Sequence, residues 1–171
     1  MHMNLNFHIV VATVVLTLGG CAATGDDYVV GVRPAVVDHP ILGSLTIQEQ
    51  DLLGPDSNQN GVRDELDKTL RATFTERDSL ALGEAYAVQV TKVMIDGAAG
   101  RAPTAVEIQS YVVARDCLWA VNADAVDQVR AQTTRTKNRA DAMRAWAQQA
   151  GPLPSEGSVA CTAGTPEAAA S

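Results

Sequence analysis

The stretch Asp56-Ser-Asn-Gln-Asn-Gly-Val-Arg-Asp-Glu-Leu-Asp67 joins an oxygen-rich turn to the first strongly marked helix of this chain. Within these twelve residues, side chains that carry oxygen occupy positions 1, 3, 5, 9 and 12, and glycine occupies position 6. A hard cation such as Ca²⁺ takes about 6–8 oxygen ligands, and a short loop supplies them from alternating positions. The spacing therefore predicts a Ca²⁺ site in loop 56–67.

The expected ligands are five side chains and one backbone carbonyl. Position 7 would contribute its carbonyl oxygen, so its side chain is free to be apolar, and position 9 often acts through a water. Gly61 stands at the bend, where a positive φ costs glycine little. The predicted metal ligands are Asp56, Asn58, Asn60, Val62, Asp64 and Asp67.

The ligand charge sets the expected affinity. Three of the side-chain ligands are aspartates, and positions 3 and 5 are asparagines. This low charge predicts a dissociation constant of about 10⁻⁴–10⁻³ M, as in extracellular modules, and Mg²⁺ fits less well because it usually keeps several waters. A polar turn without an ion is the alternative, because Asx-turns use the same residue types.

The loop resembles the calcium loops of EF-hand, dockerin and thrombospondin type 3 modules. It departs from the EF-hand pattern at position 12, where Asp67 stands in place of the longer bidentate glutamate; dockerin-type loops also use aspartate there. The segment before the loop is the weaker half, because residues 46–53 offer about two helical turns before Gly54-Pro55 interrupts them.

The amino-terminal segment predicts export. Residues 5–18 are largely apolar, and Leu18-Gly-Gly-Cys21 follows them. The pattern resembles a bacterial lipoprotein signal peptide, which implies a lipid on Cys21 and removal of residues 1–20. No Lys or Arg precedes the apolar core, unlike in ordinary signal peptides, and a secreted protein without lipid is the alternative. The two alanines after the cysteine imply the outer membrane, if the host is Gram-negative.

Cysteine usage agrees with export. If Cys21 carries lipid, Cys117 and Cys161 remain as the other two of three cysteines. In an oxidising compartment such a pair predicts a disulfide. The bond would pin a tail rich in Gly, Pro, Ser and Ala onto the helical body, and two free thiols are the alternative.

The formal net charge is −7, which argues against nucleic acid as a partner, as does the export signal. One segment nevertheless collects positive charge opposed by a single acid, Asp141. This segment is either a solvated helix face or a surface for an anionic polymer or a protein partner in the envelope. Its basic residues are Arg130, Arg135, Lys137, Arg139 and Arg144.

Helical periodicity dominates the chain from about residue 46. Low aromatic content and abundant alanine suit close-packed helices. We therefore predict an all-α fold, a small bundle of four to five helices preceded by a flexible tether and an EF-hand-like loop. The predicted helices cover 64–75, 78–95, a long segment from 105 that continues past Asn122 or restarts there, and 136–149.

Four segments follow from these patterns: a signal peptide 1–20, a lipidated tether 21–44, a helical domain 45–151 that contains loop 56–67, and an irregular tail 152–171 pinned by the disulfide. The tether would let the domain stand clear of its lipid anchor. Val36-Val37 could add a short strand within it.

Catalytic chemistry has little support. His39 is the one histidine outside the predicted signal peptide, and we expect it to be solvated in the tether. Histidine-based catalysis and zinc sites are therefore disfavoured. Glu84 and Glu107 could serve an envelope hydrolase, but a rim position and a helix cap explain them better. We expect Trp119 and Trp146 to pack in the core.

The chain also resembles a group of short exported bacterial proteins at 56–64, at Asp116-Cys-Leu-Trp119 and at Asn138-Arg139. This resemblance implies a grouping and no mechanism. The sequence favours a non-catalytic envelope lipoprotein with a structural calcium loop. An adaptor that binds a partner through its basic last helix and a cell-envelope hydrolase are the alternatives.

Overall fold

The computed structural model describes residues 33–159 and 161. The predicted signal peptide 1–20, the lipidation site Cys21 and the first part of the predicted tether lie outside the described residues, as does the end of the tail. None of the described helices is long and apolar enough to cross a membrane.

The described chain forms a β-hairpin followed by six helices, so the predicted small all-α bundle is confirmed. The predicted list gives five helices once the long segment restarts at Asn122, and the two helical turns at residues 47–53 form the sixth. The elements are β1 (Val36–His39), β2 (Gly43–Thr46), α1 (Ile47–Leu53), α2 (Asp64–Thr73), α3 (Arg77–Ala99), α4 (Ala105–Val121), α5 (Ala123–Thr133) and α6 (Lys137–Ala150).

Side-chain caps begin most of the helices where the sequence signals them. Thr104 accepts a hydrogen bond from the Glu107 amide at 3.2 Å, and the Glu107 carboxylate accepts one from the Thr104 amide at 2.7 Å. Thr46 begins α1 with the same reciprocal pair. The Asn122 side chain accepts from Ala125 N at 3.2 Å and begins α5, which explains the break. Such caps satisfy amide groups that have no partner within the helix.

Helix α3 is the central element, and it packs against each of the other five helices. Its buried face meets apolar side chains from every side and forms one continuous core. Buried members of this core include Leu66, Leu70, Tyr86, Tyr111, Leu118 and Trp146.

Helix α3 continues beyond its expected end near Ile95, through Gly97 to Ala99. A Cβ atom at position 97 would lie 2.0 Å from the Ala142 carbonyl oxygen and 2.9 Å from Trp146 Cβ. The glycine therefore does not stop the helix but lets α6 approach it closely.

The two tryptophans have different environments. Trp146 is in the core, as predicted, with its ring centroid 5.2 Å from that of Tyr111. Trp119 is partly exposed, contrary to the expectation of core packing, and a Cβ atom at Gly157 would lie 2.6 Å from its Cζ3 atom. Trp119 therefore supports the turn of the carboxyl-terminal tail rather than the interior of the bundle.

The tail is held to α4 by the disulfide and by a buried ion pair. Cys117 and Cys161 lie at disulfide distance, with Cα atoms 4.9 Å apart, as the sequence predicted. Arg115 Nε donates to Asp116 Oδ1 at 2.7 Å, and Asp116 Oδ2 accepts from Val159 N at 2.9 Å. Burial opposes ionisation of Asp116, but its hydrogen bonds from Arg115 and the tail backbone outweigh burial and lower the pKa of this carboxyl.

Residues 33–44, the described half of the predicted flexible tether, contain most of a β-hairpin, so the prediction of a flexible tether is wrong for this part of the chain. Strands β1 and β2 pair antiparallel with Val37 opposite Leu45. Leu45 is buried and packs with Leu53 and Ile95 in a second small core. The hairpin forms because it can bury alternate residues against α1 and α3, a long-range contact that the local composition does not show.

Substitution of Gly97 by alanine tests the close approach of α3 and α6. We expect Gly97→Ala to lower the free energy of unfolding by about 1–3 kcal/mol or more, because the added methyl meets rigid backbone. Gly83→Ala is the matched control in the same helix, since its methyl would meet side chains and no backbone, namely the Phe74 ring at 2.9 Å and Leu70 Cδ2 at 3.4 Å. Urea unfolding measures both, and equal stability of the two variants would contradict the packing described.

Candidate metal centre

Loop 56–67 begins after α1, runs into the first turn of α2 and is closed by a backbone hydrogen bond. Asp64 N donates to Pro55 O at 2.8 Å. Gln59 and Gly61 take positive φ angles of 56° and 78°, which fold the chain tightly on itself. Glycine adopts such angles at little cost, so the position of Gly61 at the bend agrees with its expected role.

The Asp56 carboxylate lies at the centre of the loop, and its side chain is 2% exposed. Oδ1 accepts from Asn60 N at 3.2 Å, and Oδ2 accepts from Gly61 N at 2.8 Å. His39 Nε2 lies 3.0 Å from Oδ2 and is the third donor. A buried carboxylate is tolerated when its oxygens are bonded in this way.

Two asparagines complete this side of the loop. Asn58 Oδ1 accepts from Asn60 N at 3.3 Å, and Asn60 Oδ1 accepts from Val62 N at 2.9 Å. Three successive alternate residues thus direct side-chain oxygens at the same short run of backbone. This is the arrangement from which a bound cation could take oxygens on one side.

Asp67 lies across the loop from these oxygens. Asn60 Nδ2 is 3.4 Å from Asp67 Oδ1, so positions 5 and 12 come together. The other oxygen of Asp67 accepts from Arg71 Nε at 3.0 Å, and Arg71 also pairs with Glu84 at 2.9 Å. Burial raises the pKa of Glu84, and the negative charge of Asp67 adds to the rise while Arg71 opposes it.

Asp64 and Val62 contact other groups. Both oxygens of Asp64 are engaged by Ser57, from its amide at 2.8 Å and its hydroxyl at 2.7 Å, and these hydrogen bonds lower the pKa of Asp64. The Val62 side chain is fully buried in the core, as a position that offers only its carbonyl allows. The structure therefore brings together four of the six predicted ligands, namely Asp56, Asn58, Asn60 and Asp67.

The candidate metal site in loop 56–67 depends on asparagine oxygens as well as on carboxylates. The described residues contain no group of three or more His, Cys, Asp and Glu side chains placed to hold a metal. The oxygens gathered in the loop come equally from two asparagines and two aspartates. This donor set suits only a hard cation of modest affinity.

His39 was expected to be solvated, and this expectation is wrong: the residue is buried. Its Nδ1 atom accepts from Ile41 N and Leu42 N, both at 3.2 Å. Because Nδ1 is an acceptor, the neutral ring carries its hydrogen on Nε2 and donates it to Asp56. His39 thus positions Asp56, the first predicted ligand. The one feature of the sequence that could have indicated a buried His39 is its place, with Pro40, between two apolar segments.

Two arginines hold the loop and the helix before it to helices distant in sequence. Arg63, which directly follows Val62, is buried and donates to the Gln132 carbonyl at the end of α5. Arg139 of α6 donates to Leu52 O at 2.6 Å and to Leu53 O at 3.3 Å, at the carboxyl end of α1. A positive charge is favourable at this end of a helix.

The remaining basic residues of the predicted basic segment make surface ion pairs with neighbouring acids. Such exposed pairs contribute little stability, but they neutralise much of the charge available to an anionic partner. The pairs are Arg130 with Asp127 and Glu156, Arg135 with Glu65, and both Lys137 and Arg144 with Asp141.

Comparisons of this chain with protein-family models, with curated proteins and with solved structures find no match. Function is therefore inferred from the residues of the chain itself.

Removal of the His39 ring tests its role in holding the loop. We expect His39→Ala to lower the free energy of unfolding by about 1–3 kcal/mol without calcium, because Asp56 and two amides lose a buried partner. The control is Asp38→Ala, in which the exposed neighbour loses only its bond to Ser44. Urea unfolding in a calcium chelator measures both.

The pairing itself is measured by combining His39→Ala with Asp56→Ala. The two substitutions should be non-additive by about 0.5–3 kcal/mol, as for residues in direct contact. Additive losses, or a His39→Ala variant as stable as the Asp38→Ala control, would contradict the assignment.

Proposed function

We propose that this chain is a non-catalytic lipoprotein of the bacterial cell envelope whose loop 56–67 binds Ca²⁺ as a structural clasp. One observation carries the metal proposal: the side-chain oxygens of Asp56, Asn58 and Asn60 converge on one turn of backbone, with Asp67 held across it. The lipid on Cys21 would anchor the protein in the outer membrane, with its domain facing the periplasm.

The position of the loop supports a structural role. Through His39 the loop contacts the hairpin, and through Val62 it enters the core of the bundle. Arg63 links it to α5, and Asp67 approaches Glu84 of α3 by way of Arg71. A cation held by Asp56 and Asp67 would therefore stabilise a loop that contacts the hairpin, the core, α5 and α3.

The expected affinity suits a compartment rich in calcium. Of the three aspartates, Asp56 and Asp67 lie with the gathered oxygens. Arg71 would compete with a cation for the carboxylate of Asp67. Both features favour the weak end of the range for such loops, about 10⁻⁴–10⁻³ M. A site of this kind is filled where calcium is millimolar and does not act as a sensor of small changes.

Calcium should stabilise the wild-type protein. At a hundredfold excess over the dissociation constant, binding to the native state alone adds about 2.7 kcal/mol, which corresponds to a rise in melting temperature of about 5–10 °C. Asp56→Ala and Asn58→Ala should abolish the rise. Asn58→Ala is the cleaner variant, because the Asn58 side chain bonds only to Asn60 N.

The control is Glu65→Gln, which removes a nearby charge that pairs with Arg135 and is not among the predicted ligands. It should keep the calcium response, whereas a generic charge effect would reduce it. Differential scanning calorimetry in calcium, magnesium and chelator measures all four proteins. A melting temperature of the wild-type protein that calcium leaves unchanged would contradict the metal proposal.

The lipoprotein proposal rests on the apolar segment and the Leu18-Gly-Gly-Cys21 sequence, and the pairing of Cys117 with Cys161 agrees with an oxidising compartment. We expect mass spectrometry of the protein from a bacterial envelope to show a chain that begins at Cys21 with the added mass of lipid. Cys21→Ala should remain unlipidated and leave the membrane fraction. A mature chain that begins elsewhere and carries no lipid would contradict the anchor.

The two alternative functions have less support from the described residues. Arg139, one of the five residues of the predicted basic segment, donates its guanidinium hydrogens to the carbonyls of Leu52 and Leu53 at the end of α1. Glu107 caps its own helix, and Glu84 pairs with Arg71. An adaptor surface and a hydrolase active site would therefore each need residues that already have structural partners.

A further inference from the structure

Two arginines lie inside the domain without an acidic partner. Arg63 is 7% exposed and Arg139 is half-buried, and both donate to backbone carbonyls, at the ends of α5 and α1 respectively. None of the ion pairs among residues 33–159 and 161 includes either guanidinium. Buried charges in proteins are almost always paired, so this arrangement indicates a site for an anion.

The hydrogen bonds of the Arg63 guanidinium are incomplete. Arginine carries five N–H donors and no acceptor. In Arg63, Nη2 donates to Gln132 O, whereas Nε is buried and has no partner among the described residues. A buried charged group with unmade hydrogen bonds costs stability. An anion beside the guanidinium would lower this cost, because it stabilises the charge and accepts from N–H groups that the carbonyl leaves free.

Backbone contacts bring the two arginines close together. Asp64 N donates to Pro55 O at 2.8 Å, which places the neighbouring Arg63 beside the Gly54-Pro55 segment. Arg139 Nη2 lies 3.0 Å from the position that a Cβ atom at Gly54 would take. Burial lowers the pKa of the Arg63 guanidinium, and the positive charge of Arg139 lowers it further. The two charges therefore repel each other, and a counter-ion between them would remove that repulsion.

Arg135 adds a third guanidinium at the surface. It follows α5, three residues after Gln132, and its positive charge also lowers the pKa of Arg63. Its partner Glu65 lies at 3.1 Å, and both side chains are largely exposed. The carbonyls at the helix ends carry only partial negative charge. Three full positive charges thus meet where the loop adjoins α5 and α6, and Glu65 is the one described carboxylate that raises the pKa of Arg63 or Arg139.

Two features prepare this place for an anion. Arg139 is fixed before any ligand binds, because Nε donates to Leu52 O at 2.6 Å and Nη2 to Leu53 O at 3.3 Å, and an ordered group loses less entropy on binding. Helix α6, which carries Arg139 in its first turn, has no acidic residue there, in contrast to α1–α5. An anion is favourable at the amino-terminal end of a helix.

We propose that the arginine corner, formed by Arg63, Arg135 and Arg139, binds a phosphate group, either as the free ion or as the end of a phosphate monoester. Arginine N–H groups match phosphate oxygens in charge and in spacing. A tetrahedral phosphate offers oxygens to three guanidiniums at once, whereas a planar carboxylate offers only two. This binding depends neither on calcium nor on the lipid anchor.

Three anions test the proposal on the full chain, in calcium-free buffer at constant ionic strength: inorganic phosphate, glycerol 3-phosphate and acetate. By NMR titration we expect phosphate to shift the Nε–Hε signals of Arg63 and Arg139. Acetate should bind about tenfold more weakly or worse, because it has fewer oxygens and a smaller charge. Binding of glycerol 3-phosphate would assign the corner to phosphate monoesters, and binding of inorganic phosphate alone would assign it to the free ion.

The surface ion pair beside the corner allows variants with opposite effects. Arg135→Gln should weaken phosphate binding about two- to fivefold, and Glu65→Gln should strengthen it by a similar factor, because both charges are exposed and partly screened. Lys137→Gln is the matched control, since it removes an exposed positive charge that already pairs with Asp141. It should change the affinity by less than about twofold.

Arg63→Lys tests the buried donor itself. It keeps the charge but removes the planar fork, so phosphate binding should weaken about tenfold or more, with folding checked by circular dichroism. If this variant does not fold, the Arg135 and Glu65 variants decide the question. Equal binding of phosphate and acetate, no shift at Arg63 or Arg139, a folded Arg63→Lys protein with unchanged affinity, or Arg135 and Glu65 variants that change the affinity no more than Lys137→Gln would each overturn the proposal.

Discussion

The buried Asp56 carboxylate is the interaction on which the amino-terminal half of this domain depends. A carboxylate with 2% of its side chain exposed must have its oxygens satisfied, and its donors come from two separate segments, the loop itself and His39 of the hairpin. That requirement fixes the loop against the hairpin. It also fixes the hairpin turn, because the second nitrogen of His39 holds Ile41 N and Leu42 N.

The charges around the loop explain why a cation there would act as a clasp and bind weakly. Asp67 lies near the gathered oxygens but is held by Arg71, which also pairs with Glu84. A cation must therefore share or displace that guanidinium before it gains the second carboxylate. Arg63, within the loop, and Arg139 of α6 donate instead to backbone carbonyls of α5 and α1. Competition between a cation and Arg71 for the Asp67 carboxylate would allow a cation to bind but limit its affinity.

Local signals in the sequence predicted the helices well, whereas contacts between distant segments were missed. Thr46 and Thr104 cap their helices through glutamates three residues later, a pattern that is complete within four residues. The extension of α3 through Gly97 depends on the backbone of α6, and the burial of His39 depends on Asp56 seventeen residues away. No periodicity within either segment contains that information, so the sequence predicts an end of α3 near Ile95 and a solvated His39.

Two buried carboxylates hold the two ends of the domain in the same way. Asp56 pairs with a basic side chain, His39, and with backbone amides of its loop; Asp116 pairs with Arg115 and with the amide of Val159 in the tail. The tail has a covalent addition, the disulfide at Cys117, directly beside its carboxylate. The loop end has no covalent link of this kind among residues 33–159, although its carboxylate is equally buried. A calcium ion at Asp56 would supply at that end what the disulfide supplies at the other, a cross-link between a peripheral segment and the helices.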